Sequence, residues 1–188
     1  MLLAYRRDYV EGAELSIRRG NEFLGNFPYQ SIGMWDIFMR GFCLYAAAKS
    51  TGKRRYRRNA KKMRALVDKW VDQGDVNVRH HSALLEAEDL VIRRKFKEAQ
   101  RSYESSIVSS SRGGYIQDRA LAHERYALFL VNDLRDTENG LFHAREADRL
   151  YREWGAYSIA THIKEWRSDI ESKEGISQNE STKSPGRY

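Results

Sequence analysis

The chain has 188 residues, 41% of them hydrophobic and 31% charged, with a formal net charge of +7. That mixture suits amphipathic helices with one buried stripe each and excludes a chain disordered throughout. No apolar run approaches the roughly 18 residues needed to span a bilayer. The start, Met1 to Asp8, lacks the apolar core and cleavage site of a secretory signal. The single cysteine, Cys43, lies among Phe42, Leu44 and Tyr45 and is expected as a buried thiol in a reducing, cytoplasmic or nuclear compartment.

Taken in chain order, the hydrophobic periodicity predicts helices near residues 2–24, 31–50, 54–73, 79–94, 96–111, 116–132, 138–154 and 157–171. Pro28 marks a loop after the first of them, and the later breaks fall at Gly52, Gly74, Gly113-Gly114, Asn132-Asp133 and Gly155. No segment alternates with period two, so strands are not expected. The links are short, which forces neighbouring helices into antiparallel hairpins. The expected fold is therefore all-α: a solenoid of about four stacked hairpins over residues 1–171. From Ser172 to Tyr188 the chain is polar and small and is expected to be a disordered tail.

The predicted helix at 54–73 carries most of the charge asymmetry. Between Lys53 and Arg64 stand eight basic residues and no acid; without them 25 basic face 26 acidic side chains. Tyr56, Ala60, Met63, Val67 and Trp70 form a stripe for burial, while Arg54, Arg57, Arg58, Lys61 and Lys62 fall on the opposite side. A solvated outer face is the plain reading. The functional one is a partner-binding face for an acidic protein surface. Nucleic acid or an anionic surface is the alternative, weakened by the lack of exposed aromatics for base stacking.

Further along, two predicted helices each place a glutamate inside an apolar stripe. Leu84, Leu85, Val91 and Ile92 flank Glu88; Ala120, Leu121, Ala127 and Leu128 flank Glu124 at the same spacings, 36 positions later. An ionised carboxylate in an apolar seam needs a partner, with Tyr103 or Arg101 of the next helix in reach of Glu88. Because the feature recurs with the scaffold, Glu88, Glu124 and Tyr103 read as structural buried polar residues rather than a general acid–base pair. The following helices also repeat, with Phe96-Lys97-Glu98-Ala99 before Tyr103 and Ala147 before Tyr151. Asp8-Tyr9-Val10-Glu11-Gly12-Ala13 has a similar arrangement, which reads as a chain that starts inside a repeat.

Other motifs fail on spacing. His80 and His81 are about 100° apart on a helix and are not expected to share an ion. His81 does lie on the Glu88 face and could bond to it. His123-Glu124-Arg125-Tyr126-Ala127 has alanine where a zinc protease needs its second histidine, and His143 and His162 lack ligand-spaced partners. Thr51-Gly52-Lys53-Arg54 lacks the earlier glycine and the hydroxyl of a P-loop. No base for Cys43 is identifiable. No metal, cofactor or catalytic residue is expected.

The run Trp70 to Glu88, together with Phe96-Lys97-Glu98-Ala99, Tyr103-Glu104, Leu121-Ala122-His123-Glu124 and Tyr151-Arg152-Glu153-Trp154-Gly155-Ala156, resembles the tetratricopeptide-like C-terminal region of large multidomain signalling ATPases. Such proteins join a protein-kinase-like module to an AAA-type ATPase, sometimes followed by histidine-kinase or nucleotide-cyclase modules. The resemblance spans roughly residues 30–170, although the 36-residue spacing exceeds a 34-residue repeat. It implies a non-catalytic scaffold that contacts a protein partner or other domains of a longer chain, with any activity lying upstream.

Overall fold

The computed structural model describes residues 7–20 and 31–181, and side chains over 7–20 and 33–173. The described residues form eight α-helices and no strand. These are α1 (Tyr9–Arg19), α2 (Ser31–Thr51), α3 (Arg54–Asp72), α4 (Arg79–Ile92), α5 (Phe96–Gly113), α6 (Ile116–Phe129), α7 (Thr137–Glu153) and α8 (Tyr157–Ser181). A short 3-10 turn, Val76–Val78, leads into α4, and a π-helical turn, Leu130–Leu134, follows α6. The outer ends of the first expected helix, the Pro28 loop and residues 182–188 lie outside the described residues. No described helix is long and apolar enough to cross a membrane.

The helices close on local stop signals, and these are regular. From Gly74 onward, residues with a left-handed backbone stand at Gly74, Arg94, Gly114, Arg135 and Gly155, one every 20 or 21 residues. Around Gly114 the amide of Tyr115 bonds Ser110 O and that of Gly114 bonds Ser111 O, a Schellman closure that satisfies the last carbonyls of α5. The same pair of bonds recurs at Gly74, Arg94 and Gly155. Two stops depart from expectation because arginine, not glycine, adopts the left-handed conformation, at φ 59° for Arg94 and 61° for Arg135. The break expected at Asn132-Asp133 accordingly falls at Arg135. The π-turn also explains an irregularity in the repeat: Glu124 follows Glu88 by 36 residues, yet Arg135 follows Arg94 by 41. The five residues Leu130–Leu134 make up the difference.

Where a single domain over 1–171 is expected, the chain forms two compact units, residues 1–118 and 119–188. In the first unit α2 is the central element. Every residue from Ile37 to Ala48 is buried, so this helix has no polar face and must be covered all round. Helices α1, α3 and α4 supply that cover, and α4 in turn packs on α3 and α5. The α3 stripe is buried at Tyr56, Ala60, Met63 and Val67, with Trp70 half-buried. Gly41 in α2 lets the helices approach: a Cβ there would stand 3.2 Å from Leu85 Cδ1 and from Met63 Cβ. Fully burying side chains such as Phe38, Phe42, Leu84 and Leu85 contributes on the order of 2 kcal/mol each.

In the second unit α7 packs on α8 and on the π-turn. Small residues set the distance, since Ala144, Ala147 and Ala160 are fully covered. Gly140 is tightest, for a Cβ there would meet Val131 Cγ2 at 2.4 Å. Helix α8 continues to Ser181, so the tail expected from residue 172 begins within helix. Nothing between Glu171 and Ser181 is a proline, and a single glycine there weakens a helix without stopping it.

Candidate functional site

The most concentrated polar cluster in the first unit is His80, His81 and Asp118. Asp75 accepts the Asn77 amide at 2.9 Å and starts the 3-10 turn, so α4 opens at Arg79 with both histidines in its first turn. Asp118 stands in the first turn of α6, where an acid is favoured by the exposed helix amides. His80 Nε2 lies 3.0 Å from Asp118 Oδ2, and His81 Nε2 lies 3.4 Å from Asp118 Oδ1. All three are buried, at 2%, 6% and 4% exposure. Two further rings hold the histidines: His81 stacks on Phe38 at 4.0 Å between centroids, and His80 on Tyr115 at 4.6 Å.

The expectation that adjacent histidines would point apart is therefore corrected. Their ring centroids are 4.0 Å apart. The 100° step describes where the side chains leave the backbone, whereas each imidazole then leans toward a carboxylate placed between them by another helix. His81 also faces Asp118 rather than serving as a bond for Glu88 across its own helix. Burial pushes the His81 pKa down, and the neighbouring carboxylate only partly opposes this. Burial alone would raise the Asp118 pKa, but the His80 hydrogen bond and the nearby His81 imidazole outweigh it and hold the carboxyl well below its usual range. Neither His81 nitrogen has a hydrogen-bond partner of acceptable geometry among the described residues.

The sequence-predicted glutamates are each joined to a tyrosine. Glu88 is 1% exposed and accepts from Tyr103 Oη at 2.9 Å, while Arg101 is exposed. In the second unit Glu124 is 6% exposed and accepts from Tyr151 Oη at 2.8 Å. A tyrosine one helix later reaches a carboxylate that its own helix alone would leave in an apolar seam. In the first unit, Glu14 receives Tyr56 Oη and the Arg55 guanidinium together.

The basic helix α3 divides into two sets. Arg57, expected on the outer face, turns inward: its Nε lies 2.9 Å from Oδ1 of Asp89, whose side chain is 3% exposed. Arg64 likewise reaches Glu86 at 2.9 Å and Asp68 at 3.2 Å. Tyr45, beside Arg64, has its hydroxyl pKa pushed up by burial and by Asp89. Arg54, Arg58, Lys61 and Lys62 remain exposed, and among the described residues none has a carboxylate within ion-pair distance. The sequence grouped Arg57 with them because a helical wheel reports direction without the neighbour's charge.

Tertiary contact creates a second histidine pair, which spacing along the chain concealed. His123 Nδ1 and His143 Nδ1 are 2.9 Å apart, one donating and one accepting, although 20 residues separate them. Burial, reinforced by His143 and Arg119, pulls the His123 pKa down to about 3. Cys43, the single cysteine, is buried in α2. For the His80–His81–Asp118 cluster the only sequence signal is the adjacent pair itself, since Asp118 lies 38 residues from His80.

Comparison of the chain with protein-family models, with curated proteins and with solved structures found no match in any of the three.

Proposed function

We propose that this chain is a non-catalytic helical scaffold that docks an acidic protein surface on the outer face of α3. The observation that carries this reading is the set of exposed cations Arg54, Arg58, Lys61 and Lys62, which have no carboxylate within ion-pair distance among the described residues. Arg54, Arg58 and Lys61 stand at i, i+4 and i+7, one line along the helix about 10 Å long. Opposite them the helix is anchored by Tyr56, Ala60, Met63 and Val67, so the charged face is held on a rigid support. Clustered charge on a rigid face steers a complementary partner and fixes its register.

The wider reading is a tetratricopeptide-like solenoid, the regulatory helical region of a signalling ATPase. Its support is the resemblance over roughly residues 30–170 and the packing of α4 on both α2 and α3, which suits stacked hairpins. The alternative is an adaptor for nucleic acid or another anionic surface, which the same cations would serve.

The test is binding of a labelled polyglutamate peptide and of a labelled oligonucleotide, each measured by fluorescence anisotropy at several salt concentrations. The wild-type chain should bind the peptide, and Arg54→Glu/Arg58→Glu/Lys61→Glu should weaken it about tenfold, the scale of a few partly screened ion pairs. Tighter, steeply salt-dependent binding of the oligonucleotide, lost in the same variant, supports the alternative instead.

A further inference from the structure

The His80–His81–Asp118 cluster has a property that scaffold packing does not require. A buried carboxylate held in its charged form normally sits against a cation or several amide donors. Here the groups around it are two imidazoles, at 3.0 and 3.4 Å, and one side-chain amide, that of Gln117, also at 3.4 Å. One of those imidazoles, His81, leaves both nitrogens unsatisfied in the interior. Imidazole nitrogens and a carboxylate gathered around one point are the donor set that divalent transition ions take.

We propose that His80, His81 and Asp118 form a binding site for one divalent transition ion of the zinc class. One ligand atom from each residue can be chosen so that all three lie within 4.8 Å of one another. At zinc bond lengths of 2.0–2.2 Å, tetrahedral ligand atoms stand about 3.3 Å apart. The observed N···O approaches, 3.0 Å from His80 to Oδ2 and 3.4 Å from His81 to Oδ1, are close to that edge, and since no edge of the ligand set exceeds 4.8 Å, closing it onto an ion takes at most about 1.5 Å on any edge. Two imidazoles and a carboxylate suit zinc or cobalt, whereas magnesium and calcium prefer all-oxygen sets.

The surroundings also fit. The Phe38 and Tyr115 rings fix the imidazole planes. Tyr115, whose hydroxyl donates to Asn77 at 2.8 Å, and Gln117 are half-buried, so the site lies just under the surface and an ion has a short way in. Binding would join the first turn of α4 to the first turn of α6. Any proton shared by His80 and Asp118 leaves to solvent as the ion takes its place.

The experiment uses the full chain, stripped with chelator and titrated with Co²⁺ and then Zn²⁺. Calorimetry should give one equivalent bound, Co²⁺ should develop visible absorption of tetrahedral intensity, and excess Zn²⁺ should bleach it. The melting temperature should rise by roughly 5 °C with Zn²⁺ in large excess over Kd. Asp118→Asn and His81→Gln should abolish the absorption while keeping the helical circular dichroism. Because either variant could fail to fold, imidazole nitrogen NMR of the wild-type chain is the second measurement. Of the five histidines, His80 and His81 should be the ones whose ring-nitrogen signals shift on metal addition. Absence of stoichiometric binding, folded variants that bind as wild type does, or shifts confined to His123 and His143 would each overturn the proposal.

Discussion

Tyr103 Oη and Glu88 Oε1 lie 2.9 Å apart in the interior of the first unit, joining α5 to α4. The bond places a polar group in the seam without leaving it unpaired, and Tyr151 does the same for Glu124 in the second unit at 2.8 Å. A carboxylate at each place therefore selects which tyrosine packs against it, and so which face of the next helix turns inward.

Tyr103→Phe keeps the ring and removes only the hydroxyl. The Glu88 carboxylate then loses a donor while remaining buried, and stability should fall by about 1–3 kcal/mol in urea denaturation. Replacing Glu88 by Leu in the Tyr103→Phe background should recover part of that loss, since the buried carboxylate that lost its hydroxyl donor is then gone. Equal midpoints for wild type and Tyr103→Phe would refute a structural role for the bond.

Arg57 and Arg58 are neighbours with opposite fates. Arg57→Ala strands the Asp89 carboxylate, which Arg93 approaches only at 3.9 Å, and should cost about 1–3 kcal/mol after allowance for the partial exposure of the arginine. Arg58→Ala touches an exposed, unpaired side chain and should stay within about 0.5 kcal/mol. Thermal melts of the two variants decide the matter. A ranking in the other direction would mean that the outer face begins at Arg57.

His123 links stability to acid pH. Its pKa falls from 6.5 in the ordinary state to about 3 in the folded chain, first because it is buried and then because His143 and Arg119 oppose its charge. Between those values the unfolded chain binds the proton and the folded chain does not. Stability is thus fully present above about pH 6.5 and is lost as the pH drops toward 3. One proton corresponds to a slope of up to about 1.4 kcal/mol per pH unit in that window. Urea midpoints at pH 7, 5.5 and 4.5 should converge for wild type and His123→Gln as the pH falls. Parallel curves would show that His123 carries none of the dependence.

How much of this was legible beforehand depends on the range of the forces involved. The starts of six helices, at Ser31, Arg54, Arg79, Phe96, Ile116 and Tyr157, coincide with the expected ones. A helix is set by contacts three or four residues apart, and its amphipathic stripe and its glycine stop are written in consecutive residues. The burial of Glu88 was readable for the same reason, because four flanking apolar residues share its face. The break at Arg94 falls where the expected helices 79–94 and 96–111 meet, but the stop at Arg135 was not readable, since an arginine enters the left-handed region only when the closing bonds around it compensate.

By itself, then, the sequence determined an all-helical chain, the buried stripe of α3 and the glutamates that interrupt α4 and α6. Only the tertiary structure decided which polar groups meet. Asp118 reaches His80 and His81 from another helix, His143 reaches His123, and Asp89 draws Arg57 away from the surface. Those pairings join residues 20 to 38 positions apart, where no local periodicity constrains direction. The cost of leaving a buried charge or imidazole unpaired is what selects them once the helices pack.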